Sequence, residues 1–183
     1  MNFQVRQAGE SDWPDIRDVV IDAFGDGEGT EIANLVADLL AADDAVPCLS
    51  LVAVGEDAIA GHILFTNVEI SHSPRRVSSS ILAPLAVRPE FQRRGIGGSL
   101  ISEGLRQLKS SGVELVFVLG HPEYYPKHGF TPAGARGFDA PHSIPPENAD
   151  AWMVQELRPG MIERTTGPVL CADMLNDPRH WQE

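Results

Sequence analysis

The run LAVRPEFQRRGIGGSLI, from Leu85 to Ile101, constrains the fold more than any other stretch. Apolar residues of strand type lead into it. Arg93 and Arg94 then stand beside Gly95, Gly97 and Gly98, and Ile96, Leu100, Ile101, Leu105 and Leu108 repeat at helical spacing until Gly112. A strand, a tight glycine loop and a long helix are predicted in succession. The first N–H groups of such a helix have no partner inside it, and the helix dipole places about half a positive charge there. Glycines leave the main chain open to close approach by an anion. The unit is a candidate phosphate site, to which the two arginines can add charge.

Two common phosphate loops do not fit these residues. A Walker A loop needs a lysine after its second glycine, and the only lysines are Lys109 and Lys127. The dinucleotide fingerprint G-x-G-x-x-G needs a glycine where Leu100 stands, and it opens a first strand, whereas several elements precede this one. A nucleotide-binding protein is disfavoured on both counts.

Fourteen Lys plus Arg against twenty-six Asp plus Glu give a formal net charge of −12. Such a chain repels nucleic acid and anionic membrane surfaces, so neither is expected as a partner, although a local anion site is compatible with it. With 183 residues, 43% of them hydrophobic, one sizeable packed domain is expected over 1–183, its part from 133 to 183 being the hardest to assign. Cys48 and Cys171 form no C-x-x-C and read as two core thiols. His62, His72, His128, His142 and His180 show no metal-ligand spacing, and no metal is expected. The start MNFQVRQAGESDW has no apolar leader and no run reaches membrane-spanning length, so a soluble, cytoplasmic protein is expected, monomeric or homodimeric.

The other elements follow from periodicity. FQVRQA reads as a first strand. A helix follows with Ser11 or Asp12 as cap and Ile16, Val19, Val20 and Phe24 as its stripe. GDGEGT reads as a break, and Thr30 as the cap of a second helix with Ile32, Leu35, Val36 and Leu39 inward. Two apolar runs around Gly55-Glu56-Asp57 predict a hairpin. Pro84 interrupts the next run, VSSSILAPLAV, and implies an edge or a bulge, since proline cannot donate to a ladder. VELVFVLG reads as a strand buried on both faces, HPEYYPKHGF as a helical turn ending at Gly129, and ADAWMVQEL as a last clear strand. The order β-α-α-β-β-β-α-β-α-β predicts a mixed α/β domain.

Gln92-Arg93-Arg94-Gly95-Ile96-Gly97, with PLAVRPEFQ before it and YYPKHGF after it, strongly resembles the GNAT superfamily of acetyl-CoA-dependent N-acetyltransferases, in particular its YhbS-like branch. The matching order of elements reaches to about Pro132. The resemblance implies a mostly antiparallel central sheet flanked by helices, with the fourth and fifth strands splayed. It implies acetyl-CoA as cosubstrate, its pyrophosphate held by the loop Gln92, Arg93, Arg94, Gly95, Ile96, Gly97 and Gly98. Leu85, Ala86 and Val87 would offer main-chain groups to the pantetheine and thioester, an N–H near Val87 serving the tetrahedral oxyanion. The acceptor would be an amine, on a small molecule or on a protein, attacking directly in a ternary complex.

Such a transfer needs a base for the amine and an acid for the departing thiolate. Tyr125 occupies the family's tyrosine position and is the expected acid, Tyr124 the weaker candidate. Many relatives carry a glutamate on the fourth or fifth strand, but SILAPLAV and VFVLG contain no carboxylate. The base stays open between His121, Glu123, Glu69, Glu31, a water chain and no dedicated base. Glu31 and Glu28 face the region where relatives place the acceptor and are candidates for binding it. The missing carboxylate also keeps a non-catalytic acyl-CoA-binding sensor as an alternative.

Overall fold

The computed structural model describes residues 2–56 and 58–182. Its sheet is organised on β3 (Ile59–Ile70), the longest strand. β1 (Gln4–Gln7) pairs with β2 (Leu49–Val54), β2 with β3, and β3 with β4 (Ser79–Val87), all antiparallel. β4 pairs with β5 (Leu115–Leu119) in parallel, and β5 with β8 (Trp152–Glu156) antiparallel. The hairpin expected between β2 and β3 is present, although Asp57 at its tip lies outside the described residues.

β3 buries both faces, so its side chains sort by parity. Ile63 and Phe65 pack with Leu100 and Ile101 of α3 (Ile96–Ser110). Leu64 and Val68 pack with Val36 and Leu39 of α2 (Asp26–Ala41). α1 (Trp13–Phe24) adds Ile16, Val19 and Val20 against Val52 and Ala86 on the α2 side. The result is a mixed α/β structure with a mostly antiparallel sheet between α3 and the α1–α2 pair.

Several expectations are corrected. The break expected at GDGEGT is confined to its first residue: Gly25, at φ 87°, ends α1, and α2 starts at Asp26. Thr30 is therefore no cap; its hydroxyl donates back to the Asp26 carbonyl at 3.1 Å, inside the helix. Gly29 belongs in α2 because a Cβ there would stand 2.7 Å from the backbone of Ile21, so α1 and α2 touch main chain to main chain. Asp12 stands at the start of α1 without capping it; its carboxylate takes Arg6 at 2.7 and 2.9 Å and the Gly9 N–H at 2.8 Å. Arg6 and that N–H pull Asp12 down to about 2. The thiols are not core: Cys48 is exposed and Cys171 half-buried. The helical turn expected around Tyr125 is present as a single 3-10 turn, Tyr125–His128, closed at Gly129.

The end of the chain is built into the sheet. β6 (Thr131–Pro132) pairs with β8. After the short α4 (Met161–Arg164), β9 (Gly167–Cys171) pairs with β3 at Val68–Ile70 and with β7 (Phe138–Asp139). Trp181 is 2% exposed, lies edge-on to Trp152 at 5.5 Å and donates its indole N–H to the Leu175 carbonyl at 3.0 Å. No helix among the described residues is long and apolar enough to cross a membrane.

Candidate active site

β4 and β5 run together only from Ser79–Leu82 against Leu115–Val118. The register explains the parting. Ile63 of β3 faces Leu85 and Phe65 faces Leu82, so Ala83 and Pro84 together occupy the place opposite Leu64. That is the bulge expected at Pro84, and it turns β4 away from β5. Leu85, Ala86 and Val87 stay paired to Ile63, His62 and Gly61, while their other edge has no strand. A cavity of about 710 Å³ opens in the gap, lined by Ala83, Pro84 and Leu85 on one side and Leu119 and Gly120 on the other.

The α3 N-terminus stands beside the end of β4. Its position is set by Gly61 of β3, where a Cβ would meet Leu100 at 3.0 Å and Ile96 at 3.2 Å. Gln92 ties the loop to the strand by donating its side-chain amide to the Val87 carbonyl at 3.0 Å. Arg93 and Gly95 both have positive φ, 60° and 82°. This conformation turns successive N–H groups towards one concavity. The Arg93–Gly98 amides make no main-chain hydrogen bond of normal geometry among the described residues; the first helical bond runs from Ser99 to the Gly95 carbonyl at 3.0 Å. Arg94 lies over the Phe91 ring at 5.7 Å, and both arginines are exposed.

The three glycines have different reasons. Gly95 has open space where a Cβ would be, and its need is conformational. Gly97 and Gly98 are covered from within the molecule. A Cβ on Gly97 would stand 2.5 Å from the Tyr124 hydroxyl oxygen, and one on Gly98 3.1 Å from the His128 ring. Tyr124 and His128 meet edge-on at 5.0 Å. Burial pushes the Tyr124 hydroxyl up, and burial followed by Lys127 pushes His128 down, so both stay uncharged near neutrality. The sequence carried no signal for this pair beyond two adjacent glycines.

Tyr125 is 8% exposed and lines the large cavity, unlike Tyr124. Its ring lies on Gly120, where a Cβ would stand 2.3 Å from Cε2, and meets Phe130 edge-on at 5.7 Å. The glycine ending β5 thus seats the tyrosine. His121 lines the same cavity and is exposed, its carbonyl accepting from the Tyr125 N–H at 3.3 Å.

The opposite wall comes from two elements. α2 contributes Phe24-side neighbours Glu28, Glu31, Ile32 and Asp38. The segment 173–181 contributes Asp173, Asp177, Arg179, His180 and Trp181, none of them foreseen as site residues. Of the expected base candidates, Glu31 and His121 line the cavity, whereas Glu69, exposed beside β9, and Glu123 do not. Among the described residues no group of three His, Cys, Asp or Glu is gathered to hold a metal ion.

A family model described as an acetyltransferase (GNAT) domain matches residues 4–133. The uncharacterized N-acetyltransferase YjhQ of Escherichia coli K12 is 44% identical over 173 residues, 94% of this chain and 93% of YjhQ. YhbS of the same strain, also named an uncharacterized N-acetyltransferase, is 30% identical over 148 residues, 79% of this chain and 83% of YhbS. The crystal structure of E. coli YhbS in complex with CoA is similar at a TM-score of 0.86 and 26% identity, over 97% of this chain and 93% of that one. A GNAT family acetyltransferase from Brucella melitensis, solved with acetyl-CoA, is similar at 0.73 and 28% identity, over 95% and 98%.

Proposed function

The chain belongs to the GNAT family of N-acetyltransferases, and from that premise we propose that it moves the acetyl group of acetyl-CoA directly to an amine bound in the cavity between β4 and β5. One observation carries this reading: the unpaired amide row of Arg93–Gly98 stands beside the end of β4, where a Cβ on Gly97 would lie 3.7 Å from Leu85, a residue that lines the cavity the Pro84 bulge opens. A pyrophosphate on those amides would send its pantetheine arm along the free edge of Leu85, Ala86 and Val87. Relatives solved with CoA and acetyl-CoA support the same cosubstrate here. Residues 1–183 act as one domain in this reading.

The amine lone pair attacks the thioester carbonyl carbon and a C–N bond forms. The oxyanion is met by a β4 N–H near Val87, on the edge β5 has left. The C–S bond then breaks, and its electron pair stays on sulfur, which takes a proton from the Tyr125 hydroxyl. The nitrogen gives its proton to a base, for which His121 is best placed among the residues considered, since it lines the cavity beside Tyr125. Products are the N-acetyl amine and CoA, and solvent restores the tyrosine proton.

The test is direct. Acetyl-CoA binding is measured by calorimetry on the full chain, and amine-dependent release of the CoA thiol is followed over an amine panel. Binding with amine-dependent release is the expected result. Binding without release for any amine would favour a non-catalytic acyl-CoA sensor, and absence of binding would overturn the reading.

A further inference from the structure

The cavity runs from an apolar seam to an acidic rim. The seam is made by Leu82, Pro84, Leu85 and Leu119, with the Tyr125 ring beside it. The rim carries Glu28, Glu31 and Asp38, spread along α2, and Asp173 and Asp177 on the C-terminal segment, all exposed but the half-buried Asp177. Arg179 is the sole Lys or Arg among its described lining residues. It is already engaged: Asp177 accepts from its guanidinium at 2.7 and 3.0 Å. The segment and α2 both line the cavity, and Asp177, with Glu31 a lesser contributor, favours the charged form of Arg179.

The C-terminal segment is no loose tail. Trp181 is buried against Trp152, and the Asp173 N–H donates to the Asp44 carboxylate at 2.7 Å. It also lies beyond the residues matched by the family model, which end at 133.

The two ends ask opposite things of an amine. Carboxylates stabilise the ammonium form, which has no lone pair to attack with. Apolar surroundings disfavour the ammonium and favour the neutral, nucleophilic amine. A single amine cannot satisfy both, but two amines on one short chain can. An acceptor carboxylate would meet five carboxylates and one guanidinium already taken.

We propose that the segment 173–181 and α2 together select a small acceptor with at least two amines and no carboxylate, one ammonium held at the acidic end while the other, neutral, is acetylated at the seam. This rests on the acetyl-transfer reading above. The bound ammonium keeps its proton throughout; only the reacting amine exchanges a proton for the acetyl group, and the thiolate leaves as CoA thiol.

Three matched probes test it on the full chain with saturating acetyl-CoA. Putrescine has two amines, n-butylamine lacks the second, and ornithine adds a carboxylate. Putrescine is expected to exceed both in kcat/KM by about thirtyfold or more, roughly one lost ion contact at an effective dielectric between water and protein. Glu31→Gln should raise the putrescine KM about fivefold and leave the acetyl-CoA KM unchanged, whereas Arg179→Ala should lower the putrescine KM. The proposal is overturned if butylamine or ornithine comes within threefold of putrescine, if putrescine is not acetylated although acetyl-CoA binds, or if Arg179→Ala raises the putrescine KM. If acetyl-CoA itself does not bind, the reading underneath it is lost as well.

Discussion

The Tyr124 hydroxyl closes on Gly97 so tightly that a Cβ built there would lie 2.5 Å from its oxygen. A side chain from the turn after β5 therefore sits on the first turn of α3, next to the amides proposed to take the pyrophosphate. Gly97→Ala should push Tyr124 outward, across the amide row. The expected result is an acetyl-CoA Kd raised about tenfold by calorimetry, 1.4 kcal/mol, with little change in melting temperature. In a Tyr124→Ala background the same change should cost less than threefold, because the obstacle has gone. Additive effects would show that the glycine serves something other than Tyr124.

Tyr125 has a different seat, on Gly120, facing the cavity. Tyr125→Phe keeps the ring on that glycine and removes only the hydroxyl. If the hydroxyl protonates the departing sulfur, kcat falls about 100-fold while the acetyl-CoA Kd stays within twofold. Single-turnover release of CoA thiol across pH checks it. An unchanged rate would assign Tyr125 to packing alone.

The seam was legible in the sequence because its signals are local. Pro84 within an apolar run predicts a bulge, and glycines before a helical stripe predict an exposed helix start. The glycine run GDGEGT was legible for the same reason as far as Gly25, which parts α1 from α2, and misled beyond it. Local propensity reads it as a break, yet Gly29 answers to Ile21, on the neighbouring helix. The C-terminal part of the cavity's far wall had no local signal at all, unlike Glu28 and Glu31 on α2. Asp173, Asp177 and Arg179 reach it because Trp181 docks on Trp152 and β9 pairs with β3, contacts between residues distant in the chain. The far wall of the cavity is written in packing, and the glycine loop in motif.

Gly29→Ala sets a methyl 2.7 Å from backbone atoms of Ile21, which cannot rotate aside as a side chain would. The helices must separate, and overpacking of this kind costs about 3 kcal/mol. For a chain of this length the melting temperature should fall by about 8 °C. Glu28 and Glu31 flank Gly29 on the cavity wall, so acceptor KM should rise in the folded fraction at low temperature while acetyl-CoA affinity holds. A melting temperature within 2 °C of the parent would mean that the two helices have room to part.

His62 is fully buried on β3, its Nε2 paired with the Ser50 hydroxyl at 2.9 Å and its Nδ1 without a partner among the described residues. Burial lowers its pKa from 6.5 to about 4. Above pH 6.5 the imidazole is neutral in folded and unfolded chains alike, and contributes no pH dependence. Between pH 6.5 and 4 the unfolded chain takes up a proton that the folded one refuses, so stability falls as pH falls. The loss reaches roughly 2.5 kcal/mol by pH 4.5. Asp12, held at about 2 by Arg6, loses most of its contribution below this window, and His128 and the glutamates titrate alike in parent and variant, so the difference between the two proteins reads His62. His62→Gln keeps a polar partner for Ser50 and removes the titration. Its melting temperature should therefore drop by about 7 °C less than the parent's between pH 6.5 and 4.5. Parallel curves for the two proteins would show that the buried imidazole takes its proton as readily in the folded chain as in the unfolded one.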